Sequence, residues 1–141
     1  MKLRLGPFVT KEGEGIMKAK DFLKYQNWIV AGDVLNETKY AGRIYNALQE
    51  ASYLVKGLHP KEENKAVIRS FQELSETEDV FQVLNLVINP MRGIDIVKEA
   101  HAYGIKKVLA QPGARSFEIQ DFCVTHGMEY VEGCTLVELR R

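Results

Sequence analysis

A short apolar run, Trp28, Ile29, Val30 and Ala31, ends at Gly32, and apolar residues resume at helical spacing from Ala41 after the polar residues 33–38. A strand that turns tightly at a glycine into a helix aims unpaired backbone N–H groups and the positive end of the helix dipole at the turn, and a phosphate is the natural guest there. The segment reads Gly-Asp-Val-Leu-Asn-Glu-Thr, so the GxGxxG fingerprint is absent. A second apolar run ends in His59-Pro60-Lys61, with no acid standing where a dinucleotide site places a carboxylate for the ribose hydroxyls. Ordinary NAD binding is therefore disfavoured, and Lys61 is read either as a cation for a phosphate or as a solvated charge.

Three histidines and two cysteines supply the remaining reactive side chains. Cys123 and His126 fall on the apolar stripe of a predicted helix with Ile119 and Phe122, which is the habit of packed residues. His101 lies late in another helix, where it compensates the dipole. Only His59 is expected at a strand end, and no base is paired with a nucleophile, so binding without turnover is expected and no residue is assigned as catalytic. The cysteines have neither a CxxC partner nor a histidine at zinc spacing, so no metal site is expected.

The elements that position these residues alternate. Strands are expected at residues 27–31, 53–58, 80–88, 107–110 and 128–131, with a short edge strand at 66–69. Helices are expected after Thr38 as N-cap, after Asn89 and Pro90 as N-cap and N1 with Gly104 as C-terminal cap, and after Gly113 up to Gly127. Ser70 and Glu73 have capping-box spacing for a single turn. Alternation with short connections predicts an α/β, Rossmann-like three-layer fold, with a mostly parallel sheet of about five strands and helices on both faces. Residues 1–26 read as an arm with a short helix and residues 27–141 as the domain. Ligands of such sheets bind beyond the carboxyl ends of the strands, which selects Gly32, His59, Asn89 and Gln111.

Composition narrows the partners. Nineteen basic and nineteen acidic side chains among 141 residues remove the positive field that nucleic acid binding needs. Residues 1–70 carry 12 basic and 8 acidic side chains and the rest 7 and 11, a split that suits a small anion held by the first half or simply two solvated surfaces. No apolar run approaches the roughly 20 residues of a membrane span, so a soluble, cytoplasmic protein without a membrane partner is expected.

In order and spacing, the strand ending in Gly32, the helix start with Tyr40 and Arg43, Leu58-His59-Pro60, Asn89-Pro90-Met91, Gln111-Pro112-Gly113 and Gly133-Cys134 resemble the small standalone CoA-binding proteins. That family is similar to the N-terminal domain of the succinyl-CoA synthetase α subunit. The resemblance covers residues 27–136 and implies a Rossmann-like fold that binds coenzyme A or an acyl-CoA. It implies that the loop with Gly32, Asp33 and Val34 holds the pyrophosphate with help from Tyr40 and Arg43. It further implies that His59, Pro60 and Lys61 meet the adenosine end, while Asn89, Pro90, Met91, Gln111, Pro112 and Gly113 line the rest of the cleft. A non-catalytic carrier, sensor or regulatory module is the expected role. The alternatives are an enzyme using another nucleotide and an interaction module that has lost its ligand; a homo-oligomer or a protein partner stays open.

Overall fold

The structure, a computed structural model, describes residues 18–59, 67–76 and 78–140. Its strands are β1 (Asn27–Ala31), β2 (Leu54–Leu58), β3 (Val67–Ile68), β4 (Val83–Leu86), β5 (Lys107–Ala110) and β6 (Glu129–Glu132). They form one sheet in the order β3-β2-β1-β4-β5-β6, and every neighbouring pair is parallel. The expected sheet of about five mostly parallel strands is thus six strands, all parallel. The chain runs outward from β1 to β3, returns to β4 beside β1, and then runs outward the other way, so the order reverses between β1 and β4.

Side chains alternate across the sheet, as the pleat requires. Ile29, Ala31, Leu84, Leu86, Val108 and Tyr130 face one apolar layer, which α2 (Pro90–Ala102) and α3 (Phe117–Thr125) cover through Ile94, Val97, Ile119 and Cys123. Trp28, Val30, Val83, Leu109 and Val131 face the other, against Ile44, Tyr45 and Leu48 of α1 (Tyr40–Glu50) and Phe22 of the 3-10 helix Ala19–Lys24. A last short helix, α4 (Thr135–Leu139), packs on that same side beside α1. Sequence periodicity did not signal it, because five residues are too few to show a helical period.

Local chemistry sets most element ends. Asn89 caps α2, its Oδ1 accepting from the Arg92 N–H at 3.1 Å, with Pro90 at the first helical position. Gly104 follows α2 with φ +92°, the left-handed backbone of a C-terminal cap. Ser116 caps α3 by accepting from the Ile119 N–H at 3.1 Å. Thr38 does not cap α1: Lys39 holds that position, and the Thr38 hydroxyl donates instead to Asn36 Oδ1 at 2.6 Å. The run expected as a strand over residues 80–88 narrows to four residues, because pairing with β1 and β5 covers only that stretch.

Candidate functional site

Parallel register brings the strand ends into a row. One residue past each strand the ladder adds a further bond: Gly32 N–H donates to Leu58 O, His59 N–H to Ile68 O, Val87 N–H to Ala31 O, Gln111 N–H to Leu86 O and Gly133 N–H to Ala110 O, all at 2.9–3.2 Å. These residues therefore stand side by side along the carboxyl edge. Above them opens a cleft of about 640 Å³, within the range usual for small-molecule sites. It lies at the reversal of strand order, where sheets of this kind bind ligands.

One end of the cleft is built around Gly32 and α1. Gly32 has φ +155°, and a Cβ there would stand 2.9 Å from both the Val87 carbonyl oxygen and the Ala41 Cβ, so only glycine lets these three segments meet. The Val34 N–H donates back to Gly32 O at 2.9 Å and the Asn36 N–H to Asp33 O at 3.2 Å, which folds the loop over the strand end. The first N–H groups of α1, at Tyr40 and Ala41, have no intrahelical acceptor, and both residues line the cleft. Lys39 and Arg92 add two cations to the lining, against the carboxylate of Asp33. Arg92 sits in the first turn of α2 and has no ion pair among the described residues. A second cavity of about 510 Å³ adjoins across Ile88 and Arg92 and reaches Leu58 and Arg69.

The other end is held by a buried polar chain that joins three elements. Asn85, fully buried in β4, donates from Nδ2 to Leu109 O at 3.0 Å and accepts from the Thr135 hydroxyl at 2.5 Å. The Thr135 N–H donates to Gln111 Oε1 at 2.6 Å. Cys134, half-buried, lies in the cleft wall just before Thr135.

Of the residues singled out from the sequence, Gly32, Asp33, Tyr40, His59, Asn89, Gln111, Pro112 and Gly113 line this cleft together. Val34 does not: its side chain is buried against Gly57 of β2 and serves the core. Arg43 is exposed and outside the lining; its guanidinium lies over the ring of the lining residue Tyr40 and donates to Thr38 O at 3.3 Å. Pro90 and Met91 form the first turn of α2 outside the lining, with Met91 85% exposed. Pro60 and Lys61 lie outside the described residues. Lys39 and Arg92 supply the cations of the lining: Lys39 is itself the N-cap of α1, and Arg92 stands three positions after the N-cap Asn89.

Cys123 is fully buried as expected, and burial pushes its thiol up to about 12. His126 departs from the packed position expected for it: it is exposed, its ring stacked on Phe122 at 3.9 Å and its Nδ1 2.8 Å from Phe122 O. His101 packs edge-on beside both rings. At 1.5 Å per residue, His101 lies roughly 17 Å along α2 from the cleft end. Among the described residues no group of three or more metal-ligating side chains comes together, and no helix is long and apolar enough to cross a membrane.

A sequence profile of the CoA binding domain matches residues 26–140. Among solved structures, the chain is similar to a conserved hypothetical protein from Pyrococcus furiosus, with 33% identity over 81% of this chain and 99% of that one, and a TM-score of 0.72. A hypothetical protein from Pyrococcus horikoshii shares the fold at 20% identity, covering 91% of this chain and 97% of its own, with a TM-score of 0.77. A Thermus thermophilus protein does so at 22% identity, covering 86% and 94%, with a TM-score of 0.67. No curated protein matches.

Proposed function

From membership of the chain in the CoA-binding domain family, we propose that it binds coenzyme A or an acyl-CoA in the cytoplasm without turning it over, as a carrier, sensor or regulatory module. The observation that carries this reading is the cleft at the β1/β4 reversal, where a glycine turn, the free N–H groups of α1 and the side chains of Lys39 and Arg92 converge. The pyrophosphate occupies the turn of Gly32 and Asp33. The adenosine end extends past His59 toward the adjoining cavity, with Pro60 and Lys61, the next residues in the chain, assigned to it from the sequence, and the pantetheine arm runs over Asn89 toward Gln111, Pro112 and Gly113. Asp33 tolerates the anion because two cations outnumber it in the lining. Absence of turnover is supported by the dispersal of the bases, since His59 is the one histidine in the lining and neither His101 nor His126 approaches it.

Thermal denaturation with CoA and with NAD tests the reading. A ligand that binds only the folded state at a hundredfold its Kd stabilises it by about 2.7 kcal/mol. CoA is expected to raise the Tm and NAD to leave it unchanged; equal shifts with both would remove the CoA-specific assignment. Dephospho-CoA separates the phosphates: Lys61→Ala is expected to weaken CoA more than dephospho-CoA, and an equal loss would remove the 3′-phosphate from Lys61.

A further inference from the structure

The buried chain Asn85–Thr135–Gln111 fixes the orientation of one amide in the cleft. A backbone N–H can only donate, so the Gln111 atom 2.6 Å from the Thr135 N–H is the oxygen, and the amide nitrogen is the other atom. Asn85 is oriented in the same way: Leu109 O can only accept, so Asn85 presents its nitrogen there and its oxygen to the Thr135 hydroxyl. Gln111 is 3% exposed and lines the cleft, and among the described residues its amide nitrogen makes no hydrogen bond; that nitrogen is open to the cleft, since no side-chain nitrogen or oxygen sealed from solvent lacks a partner there. The site therefore presents a neutral amide whose oxygen is engaged by Thr135 and whose nitrogen, which can only donate, is turned to the cleft.

Position identifies what it meets. Gln111 and Gly32 occupy the same level on strands two places apart, so with neighbouring strands about 4.8 Å apart they are separated by roughly 10 Å. In CoA the second amide carbonyl of pantetheine stands about nine chain atoms from the phosphorus, the length of three peptide units, or roughly 10 Å extended. The thioester carbonyl of an acyl-CoA lies farther out, at roughly 16 Å on the same measure.

We propose that Gln111 donates a hydrogen bond to the second amide carbonyl of the pantetheine arm, and that Thr135 and Asn85 are positioning residues that hold its amide the donating way round. The inference rests on the CoA reading of the cleft. It makes the last helix, through Thr135, part of the ligand site although α4 itself contributes no contact.

The test compares CoA with adenosine 3′-phosphate 5′-diphosphate, which lacks the pantetheine arm, by calorimetric titration. Gln111→Glu keeps the acceptor for the Thr135 N–H and removes the donor. It is expected to reduce the preference for CoA over the armless ligand by about tenfold; the armless ligand carries one more negative charge on its terminal phosphate, so repulsion by the new carboxylate works against that fall and cannot produce it. Thr135→Val is expected to lower the same ratio and Thr135→Ser to restore it; a purely structural role would lower the Tm of Thr135→Val and leave the ratio alone. CoA and acetyl-CoA are expected to lose equally, and a loss confined to acetyl-CoA would move the contact to the thioester and overturn the assignment. If wild-type protein binds neither CoA nor the armless ligand, the CoA reading falls and this inference with it. If CoA binds and the ratios do not move, the inference alone is refuted.

Discussion

Gly57→Ala is expected to destabilise the protein although nothing in its backbone forbids a side chain. The residue lies in β2 without a positive φ, and in a strand interior a glycine-to-alanine change ordinarily stabilises by roughly 0.5–1 kcal/mol. Here a Cβ would stand 3.2 Å from Val34 Cβ and Cγ1 and closer still to Cγ2. Val34 is 2% exposed and cannot swing aside, so overpacking of about 1–3 kcal/mol outweighs the gain. Val34→Ala alone removes two buried methyl groups, about 1.6 kcal/mol of transfer free energy, with a cavity term that brings the loss to roughly 2–3 kcal/mol. In the double variant the new methyl of residue 57 enters the space vacated at residue 34. Its loss should then fall short of the sum of the single losses by about 2 kcal/mol, within the range for side chains in contact. Urea denaturation of the four proteins measures this. Additivity within 0.5 kcal/mol would refute the claim that Val34 pins the loop after β1 onto β2.

Gly42→Ala in α1 is expected to cost at least about 2 kcal/mol, lowering the Tm by roughly 6 °C, because its Cβ would strike the Asn36 carbonyl, whose carbon lies 2.6 Å away; an unchanged or raised Tm in a calorimetric scan would contradict that packing. In the native protein at pH 8 a thiol reagent is expected to modify Cys134 and spare Cys123, with both reacting after denaturation, since the reactive form is the thiolate and burial keeps Cys123 protonated; modification of both in the native state would refute it. Burial raises the folded Cys123 pKa from 9 to about 12, so its contribution is intact below pH 9 and is lost as the pH climbs to 12. Cys123→Ala should therefore flatten the alkaline fall in stability measured by denaturant titration at successive pH values, and an unchanged slope over that window would count against the buried thiol.

What could be read from the sequence depended on how local its cause is. The ends of β1 and β5 and the start of α2 are set by residues within one turn of each other: Gly32 after a run buried on both faces, Gln111-Pro112-Gly113 after another, and Asn89-Pro90 as cap and first helical residue. Strand alternation then gave the parallel sheet, and with it the edge on which the cleft forms. The expected site residues that lie outside the cleft lining share a cause in side-chain direction. Val34 and Arg43 both follow the glycine turn in sequence, yet the Val34 side chain enters the core against Gly57 and the Arg43 side chain is exposed over the Tyr40 ring, because successive loop and helix positions face different ways. Arg92 reaches the lining that Arg43 does not, three positions after Asn89, where the first turn of α2 overhangs the strand ends. The Asn85–Thr135 bond spans 50 residues and joins a strand that is apolar on either side of its asparagine to a helix too short to show a period. A buried asparagine in such a strand must find partners, and that requirement was visible, but which partners it finds is decided only when β5 and α4 close around it. The cleft wall at Gln111 is thus organised by tertiary hydrogen bonds, whereas the cradle at Gly32 is organised by local backbone geometry.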